Sequence, residues 1–242
     1  MAITTGKERA IPPRSKDVGL PGPISVRSNQ EQHLPSPESA VPTPPSAPRL
    51  ILILGGARSG KSAFAEQLAA SSGQSVAFIA TATAGDDEMQ ARIARHRASR
   101  PSHWHTIEEP LDLAGAVRHA AALADVLLLD CITLWLSNCL ARHGETSATA
   151  MEASSPFFDA AAMQEIQDLL AALASLDPRK TLIVITNEVG LGIVPAYPLG
   201  RLYRDTLGLV NQRLAEAAGR VYLLIAGIAV DIKRLREEAV LC

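Results

Sequence analysis

The sequence has little of what marks several classes of protein. Only three cysteines occur among 242 residues, Cys131, Cys139 and Cys242, with no metal-type spacing. An odd, sparse set argues against a disulfide framework and suits a reducing cytoplasm. Charge of neither sign prevails. The formal net charge is −2, so no basic surface is expected for a nucleic acid. The longest apolar stretches, such as Val221 to Val230, run about ten residues, and a membrane span needs about twenty. The N-terminus lacks the apolar core of a secretory signal.

Proline is abundant, but in one place. Ten of the sixteen prolines fall in residues 1–48, which are also rich in serine. Such a composition buries too little surface to fold alone. Residues 1–48 are expected to be a disordered extension, and 49–242 one domain. A proline-rich ligand or a transit peptide is the rival reading. Glu8, Asp17, Glu31 and Glu38 count against the latter.

From Leu50 onward, strand and helix patterns alternate. Continuous apolar runs predict buried parallel strands at 50–54, 76–80, 126–130, 181–186 and 221–226. Helical patterns predict helices at 61–72, 87–98, 112–124, 159–175 and 199–218. The result is an α/β fold, a mostly parallel doubly wound sheet with helices on both faces. Ligands then bind at the carboxyl ends of its strands. Residues 142–156 are small and polar, and read as a surface loop.

The sharpest signal is Gly55-Gly56-Ala57-Arg58-Ser59-Gly60-Lys61-Ser62, directly after an apolar strand. This is the G-x-x-x-x-G-K-S pattern of a phosphate-binding loop. Glycines let backbone N–H groups turn around a phosphate chain. Lys61 places charge near the β- and γ-phosphates, and the Ser62 hydroxyl can ligate Mg²⁺. A chance glycine turn would have to reproduce strand, loop and helix together.

Other features fall near strand ends. Asp130 closes an apolar strand, where a carboxylate can hold Mg²⁺ or merely cap the next helix. Ala80-Thr81-Ala82 offers small side chains for close approach of a ligand, or a plain turn. Arg92, His96 and Arg100 are spaced four apart and so share a helix face. An imidazole among guanidinium groups can attack phosphorus and carry it as a phosphoramidate. A solvated basic face is the plainer alternative. Residues 186–195, with Asn187 and a buried carboxylate, Glu188, at the entry, read as a binding loop or a structural turn. His103 and His105 flank Trp104 without forming a metal set.

Several strings occur together and in order: the phosphate loop, Phe78-Ile-Ala-Thr-Ala82, Asp86-Asp-Glu-Met89, Arg100-Pro-x-His-Trp104, Thr186-Asn-Glu-Val-Gly-x-Gly-Ile-Val-Pro195 and Val210-Asn-Gln-Arg-Leu214. Over residues 50 to about 233 the chain resembles the bifunctional adenosylcobinamide kinase / adenosylcobinamide-phosphate guanylyltransferases of cobalamin biosynthesis. The resemblance implies a RecA-like P-loop fold, a homotrimer, and ATP or GTP as substrates with Mg²⁺. It implies phosphorylation of adenosylcobinamide, then transfer of GMP from GTP to adenosylcobinamide phosphate. It places the guanylylated histidine on His96. The nucleotide contacts fall on the phosphate loop, Ala80, Thr81, Ala82, Arg97, Ala98, Ser99, Arg100, Glu108 and Asp130. In two places the chain departs from the family pattern. Asp130 stands where glutamate is frequent, and Arg95 where a second histidine can occur.

Three other functions compete at this stage. A nucleic-acid motor would want a basic surface. A GTP-dependent switch leaves the His96 cluster unexplained. A member retaining one activity has the same motifs.

Overall fold

In the computed structural model the residues described are 49–85, 87–146 and 155–240, and the proline-rich extension lies outside them. Seven strands form one sheet in the order β3-β2-β4-β5-β1-β6-β7. They are β1 (Arg49–Gly55), β2 (Val76–Ala80), β3 (His105–Glu108), β4 (Val126–Asp130), β5 (Thr181–Ile185), β6 (Arg220–Ile225) and β7 (Ile228–Asp231). Every pairing is parallel except β6 with β7. The helices are α1 (Lys61–Ser71), α2 (Asp87–Ser99), α3 (Leu113–Leu123), α4 (Ile132–Thr146), α5 (Ser155–Ala174), α6 (Pro198–Ala217) and α7 (Ile232–Val240).

The central strands are apolar throughout because both faces are covered. In β1, Leu50, Leu52 and Leu54 enter one core layer, and Ile51 and Ile53 the other. β4 and β5 divide the same way. Leu127, Leu129, Leu182 and Val184 face the first layer, and Leu128, Val126, Ile183 and Ile185 the second. The first layer includes α3, α5 and α6. The second includes Ala65 and Ala69 of α1, whose small side chains let that helix lie close to the sheet. Each such Leu or Ile contributes about 1.5–3 kcal/mol by leaving water. This is the mostly parallel, doubly wound α/β P-loop arrangement.

The five expected strands and five expected helices are present within a few residues. The expected loop at 142–156 is not all loop. Residues 142–146 continue α4, which is anchored by the fully buried Trp135 donating its indole N–H to the Leu111 carbonyl at 2.9 Å. Residues 147–154 lie outside the described ones, and 155 already begins α5. β3 and β7 are additions. Each has four residues, too few for an apolar run to show.

Parallel pairing aligns the strand ends that matter. Glu108 pairs with Ala80, Ala80 with Asp130, Asp130 with Ile185 and Ile185 with Ile53. One row across five strands therefore ends beside the phosphate loop.

Candidate active site

The phosphate loop is shaped by close approach. A Cβ on Gly55, at φ 154°, would stand 2.6 Å from the Leu224 carbonyl oxygen, so only glycine fits. Two neighbours hold the loop from outside. The Glu188 N–H donates to the Gly55 carbonyl at 3.2 Å, and the Gly227 N–H to the Ser59 carbonyl at 3.0 Å. Gly60, left-handed at φ 95°, turns the chain into α1, whose first N–H groups are free to meet an anion. At the other end of α1, Gly73 is left-handed at φ 66°, the conformation in which glycine commonly ends a helix.

Lys61 is 8% exposed, and its ammonium donates to the Gly56 carbonyl at 2.6 Å. Burial lowers its pKa, and the nearby Cys131 and Asp130 offset part of that. A phosphate chain would supply the missing countercharge. The Ser62 hydroxyl donates to Asp130 Oδ2 at 3.0 Å. A hydroxyl beside a carboxylate is an all-oxygen pair of the kind Mg²⁺ takes when most of its shell is nucleotide and water. The shorter Asp130 therefore still reaches the loop. Among the described residues no cluster of three or more His, Cys, Asp or Glu could hold an ion by itself.

One pocket of about 540 Å³ joins these groups to α2. It brings together Ala57, Arg58, Ser59, Gly60, Lys61 and Ser62 of the loop with Ala80, Ala82 and Asp130 of the strand ends. His96, Arg97, Arg100 and Glu108 line it from the other side. Arg97 pairs with Glu108 at 3.2 Å. Two buried side-chain polar atoms among the described residues lack a hydrogen-bond partner, Ser59 Oγ and Arg100 Nε. Both belong to residues of this pocket.

Some expected residues are placed differently. Arg100 directly follows the last residue of α2 and lines the same pocket as His96. Its guanidinium sits 3.4 Å above the Phe78 ring, which is buried in the sheet. The Arg92 and Ser99 side chains fall outside the description. Thr81 is fully buried and faces away from the pocket. Its hydroxyl donates to the Cys131 carbonyl and accepts from the Cys131 N–H, at 2.8 and 2.9 Å. It ties β2 to the end of β4. Gly55 and Gly56 shape the loop rather than line the cavity, and Ala98 is exposed on α2. Glu188 is half-buried at the mouth of its loop, not enclosed, and its carboxylate accepts from the Gly190 N–H at 3.0 Å.

One group was not legible beforehand. Burial raises the carboxyl pKa of Glu66, on α1, which also feels the charges of Asp130, His96 and Arg100. It belongs to no motif with a fixed spacing, and only the packing of α1 against the strand ends reveals it. Asn187, at the entry of the expected binding loop, does line the pocket.

The family model for cobinamide kinase / cobinamide phosphate guanyltransferase matches residues 51–232. The bifunctional adenosylcobalamin biosynthesis protein CobP of Pseudomonas aeruginosa is 46% identical over 182 residues, 75% of this chain and 96% of that protein. The bifunctional adenosylcobalamin biosynthesis protein CobU of Escherichia coli is 44% identical, over 76% of this chain and 99% of its own. That of Salmonella typhimurium is 45% identical with the same coverage. Among solved structures, the RadB recombinase superposes on 73% of this chain and 74% of its own with a TM-score of 0.37, at 16% identity. The chain belongs to the cobinamide kinase / cobinamide phosphate guanyltransferase family, transferases that carry both activities.

Proposed function

We propose that residues 49–242 form one domain that performs two transfers from one pocket. In the first, the hydroxyl of the aminopropanol arm of adenosylcobinamide attacks the γ-phosphorus of ATP or GTP. In the second, a ring nitrogen of His96 attacks the α-phosphorus of GTP. The bond to the β-phosphate oxygen breaks, and pyrophosphate leaves. A phosphate oxygen of adenosylcobinamide phosphate then attacks the same phosphorus, the P–N bond breaks, and adenosylcobinamide-GDP is formed. The observation that carries this reading is the pocket itself, which puts a P-loop lysine and a histidine flanked by arginine around one cavity.

Each residue has a task set by charge. Lys61 and the loop N–H groups offset charge on the β- and γ-phosphates. Ser62 and Asp130 would hold Mg²⁺, which would supply positive charge to the phosphates. Arg97 and Arg100 would meet the α-phosphate oxygens. Glu108, an exposed carboxylate at the end of β3, would accept from the nucleoside. Among the described residues no helix is long and apolar enough to cross a membrane. Together with the sparse cysteines this supports a cytoplasmic enzyme. The assembly is proposed as a homotrimer. Leu191, Ile193 and Val194 are 84%, 96% and 60% exposed, and offer it apolar surface. Light scattering reads its mass.

The central test is intact-mass measurement after incubation with GTP and Mg²⁺. A protein-bound GMP is expected, labile to acid and stable to alkali. His96→Ala should lose the adduct and keep kinase activity. Undiminished labelling of that variant would sink the assignment, and no adduct on the wild type would favour a kinase or GTP-binding protein without guanylyl transfer.

A further inference from the structure

Asn187 lines the pocket but has no task in the function set out above. Asn187 directly follows β5 and Thr186, and β5 lies between the strand that feeds the phosphate loop and the strand that ends in Asp130. Asn187 lines the same cavity as Lys61, Ser62 and Asp130.

Its main chain is held from both sides. The Asn187 N–H donates to Thr133 Oγ1 at 2.9 Å, and its carbonyl accepts from Asn211 Nδ2 at 3.0 Å. Asn211, on α6, is 5% exposed, and its Oδ1 accepts from Thr186 Oγ1 at 2.8 Å. Thr186 is fully buried. Thr133, on α4, is fixed in turn by Tyr203, whose hydroxyl donates to the Thr133 carbonyl at 2.8 Å. Three elements, α4, β5 and α6, thus converge on the backbone of one residue.

That network has a cost. Each buried polar group left unpaired costs about 1–3 kcal/mol, and a fully paired one gains little over an apolar residue of the same shape. What a satisfied network does provide is a fixed position. The side chain of Asn187 presents the contrast. Among the described residues neither of its polar atoms has a hydrogen-bond partner. A carboxamide carries two N–H donors and one acceptor, and no charge. Beside a triphosphate it can donate to phosphate oxygens without adding the charge that a lysine would bring.

We propose that Asn187 is a catalytic residue of the kinase step, with its Nδ2 donating to an oxygen of the γ-phosphoryl group. Asn211 is the positioning residue that holds it there. The proposal rests on the function set out above and adds a residue selective for one of the two transfers. In the kinase step the acceptor oxygen forms its bond to the γ-phosphorus. The bond from that phosphorus to the β–γ bridging oxygen breaks, ADP or GDP leaves, and the hydroxyl proton passes to solvent. Guanylylation of His96 breaks the bond between the α-phosphorus and the β-phosphate oxygen. The γ-phosphoryl group leaves intact in the pyrophosphate portion, so it gains little from Asn187.

The test uses the full chain and two assays on the same preparation: phosphorylation of adenosylcobinamide by ATP, and formation of the GMP adduct with GTP. Asn187→Ala should lower the kinase kcat by on the order of 10²-fold, as loss of one transition-state donor does. Its adduct formation at saturating GTP should fall far less, by a few-fold at most. Asn187→Asp preserves shape and both main-chain bonds but replaces the donor by a carboxylate, so it should lose at least as much kinase activity. Asn211→Ala should shift the same ratio in the same direction by a smaller factor. A kinase rate near wild type in Asn187→Asp would overturn the proposal. So would equal loss of both activities in variants that melt like the wild type, since a purely structural role moves both together. A wild type that phosphorylates the corrinoid but forms no GMP adduct would count against His96 chemistry, and the kinase rates would still decide the role of Asn187.

Discussion

Around Lys61 the backbone is held by its neighbours, whereas around His96 the chain stands mostly in solvent. The phosphate loop is clamped by the segment after β5 and by the turn between β6 and β7. Gly55 has no room for a side chain, and the helix it feeds presses alanines onto the sheet. Across the pocket, the described side chains of α2 are exposed or half-buried. Its Arg97–Glu108 pair is more than half exposed on both sides, and such pairs contribute about 0–1 kcal/mol. The loop end of the pocket, proposed to take the γ-phosphate, is thus set by folding. The α2 end, proposed to take the α-phosphate, leans on a few side-chain contacts, among them Arg100 over the buried Phe78. Two chemistries can share a pocket without sharing a degree of preorganisation.

The largest effect should come from the group both ends need. Lys61→Ala removes the buried cation of the phosphate loop. Corrinoid phosphorylation and GMP-adduct formation should both fall by on the order of 10³-fold, with the fold intact by circular dichroism. A variant that lost only one activity would break the idea of a common nucleotide position.

A smaller effect should appear at the α-phosphate end alone. Phe78→Leu keeps an apolar side chain in the sheet but removes the face on which Arg100 rests. A desolvated cation–π contact contributes about 0.5–2 kcal/mol. Single-turnover adduct formation should therefore slow by roughly 10-fold, while the kinase rate changes little. Equal loss of both rates would mean that Phe78 acts through the sheet rather than through Arg100.

These unequal halves were unequally readable in the sequence. The phosphate loop announces itself because phosphate geometry fixes glycine, lysine and serine at set spacings. Leu and Ile alternate along β1, and both faces had to be covered, so the strand was plain. β3 was not, because His105-Thr-Ile-Glu108 carries one apolar residue and is an edge strand. Helical spacing put Arg100 beside His96, and both line the pocket although α2 ends one residue before Arg100. Thr81 sits in a motif that reads as ligand-facing, yet its hydroxyl is taken by the Cys131 backbone. The clamp on Asn187 was out of reach of any local pattern. Its partners, Thr133 and Asn211, are 54 and 24 residues away.

The smallest effect asks how far α1 itself binds α2. Glu66, on α1, has its carboxyl pKa raised above the ordinary 4.5, chiefly by burial and next by the charge of Asp130, while His96 and Arg100 pull it down. The sign follows from which state holds the proton more tightly. A folded-state value above the unfolded one means that the folded protein binds the proton more strongly. Stability therefore falls as pH rises from about 4.5 through the folded value, and stays lowered above it. Glu66→Gln has no such titration. Its stability relative to wild type should rise over that interval and then level off, as urea midpoints from pH 4 to 8 would record. The opposite trend, with the variant losing ground as pH rises, would show that attraction to His96 and Arg100 outweighs burial and Asp130. Helix α2 would then have an ionic tie to the phosphate-loop helix, and the two ends of the pocket would be less unlike than their burial makes them.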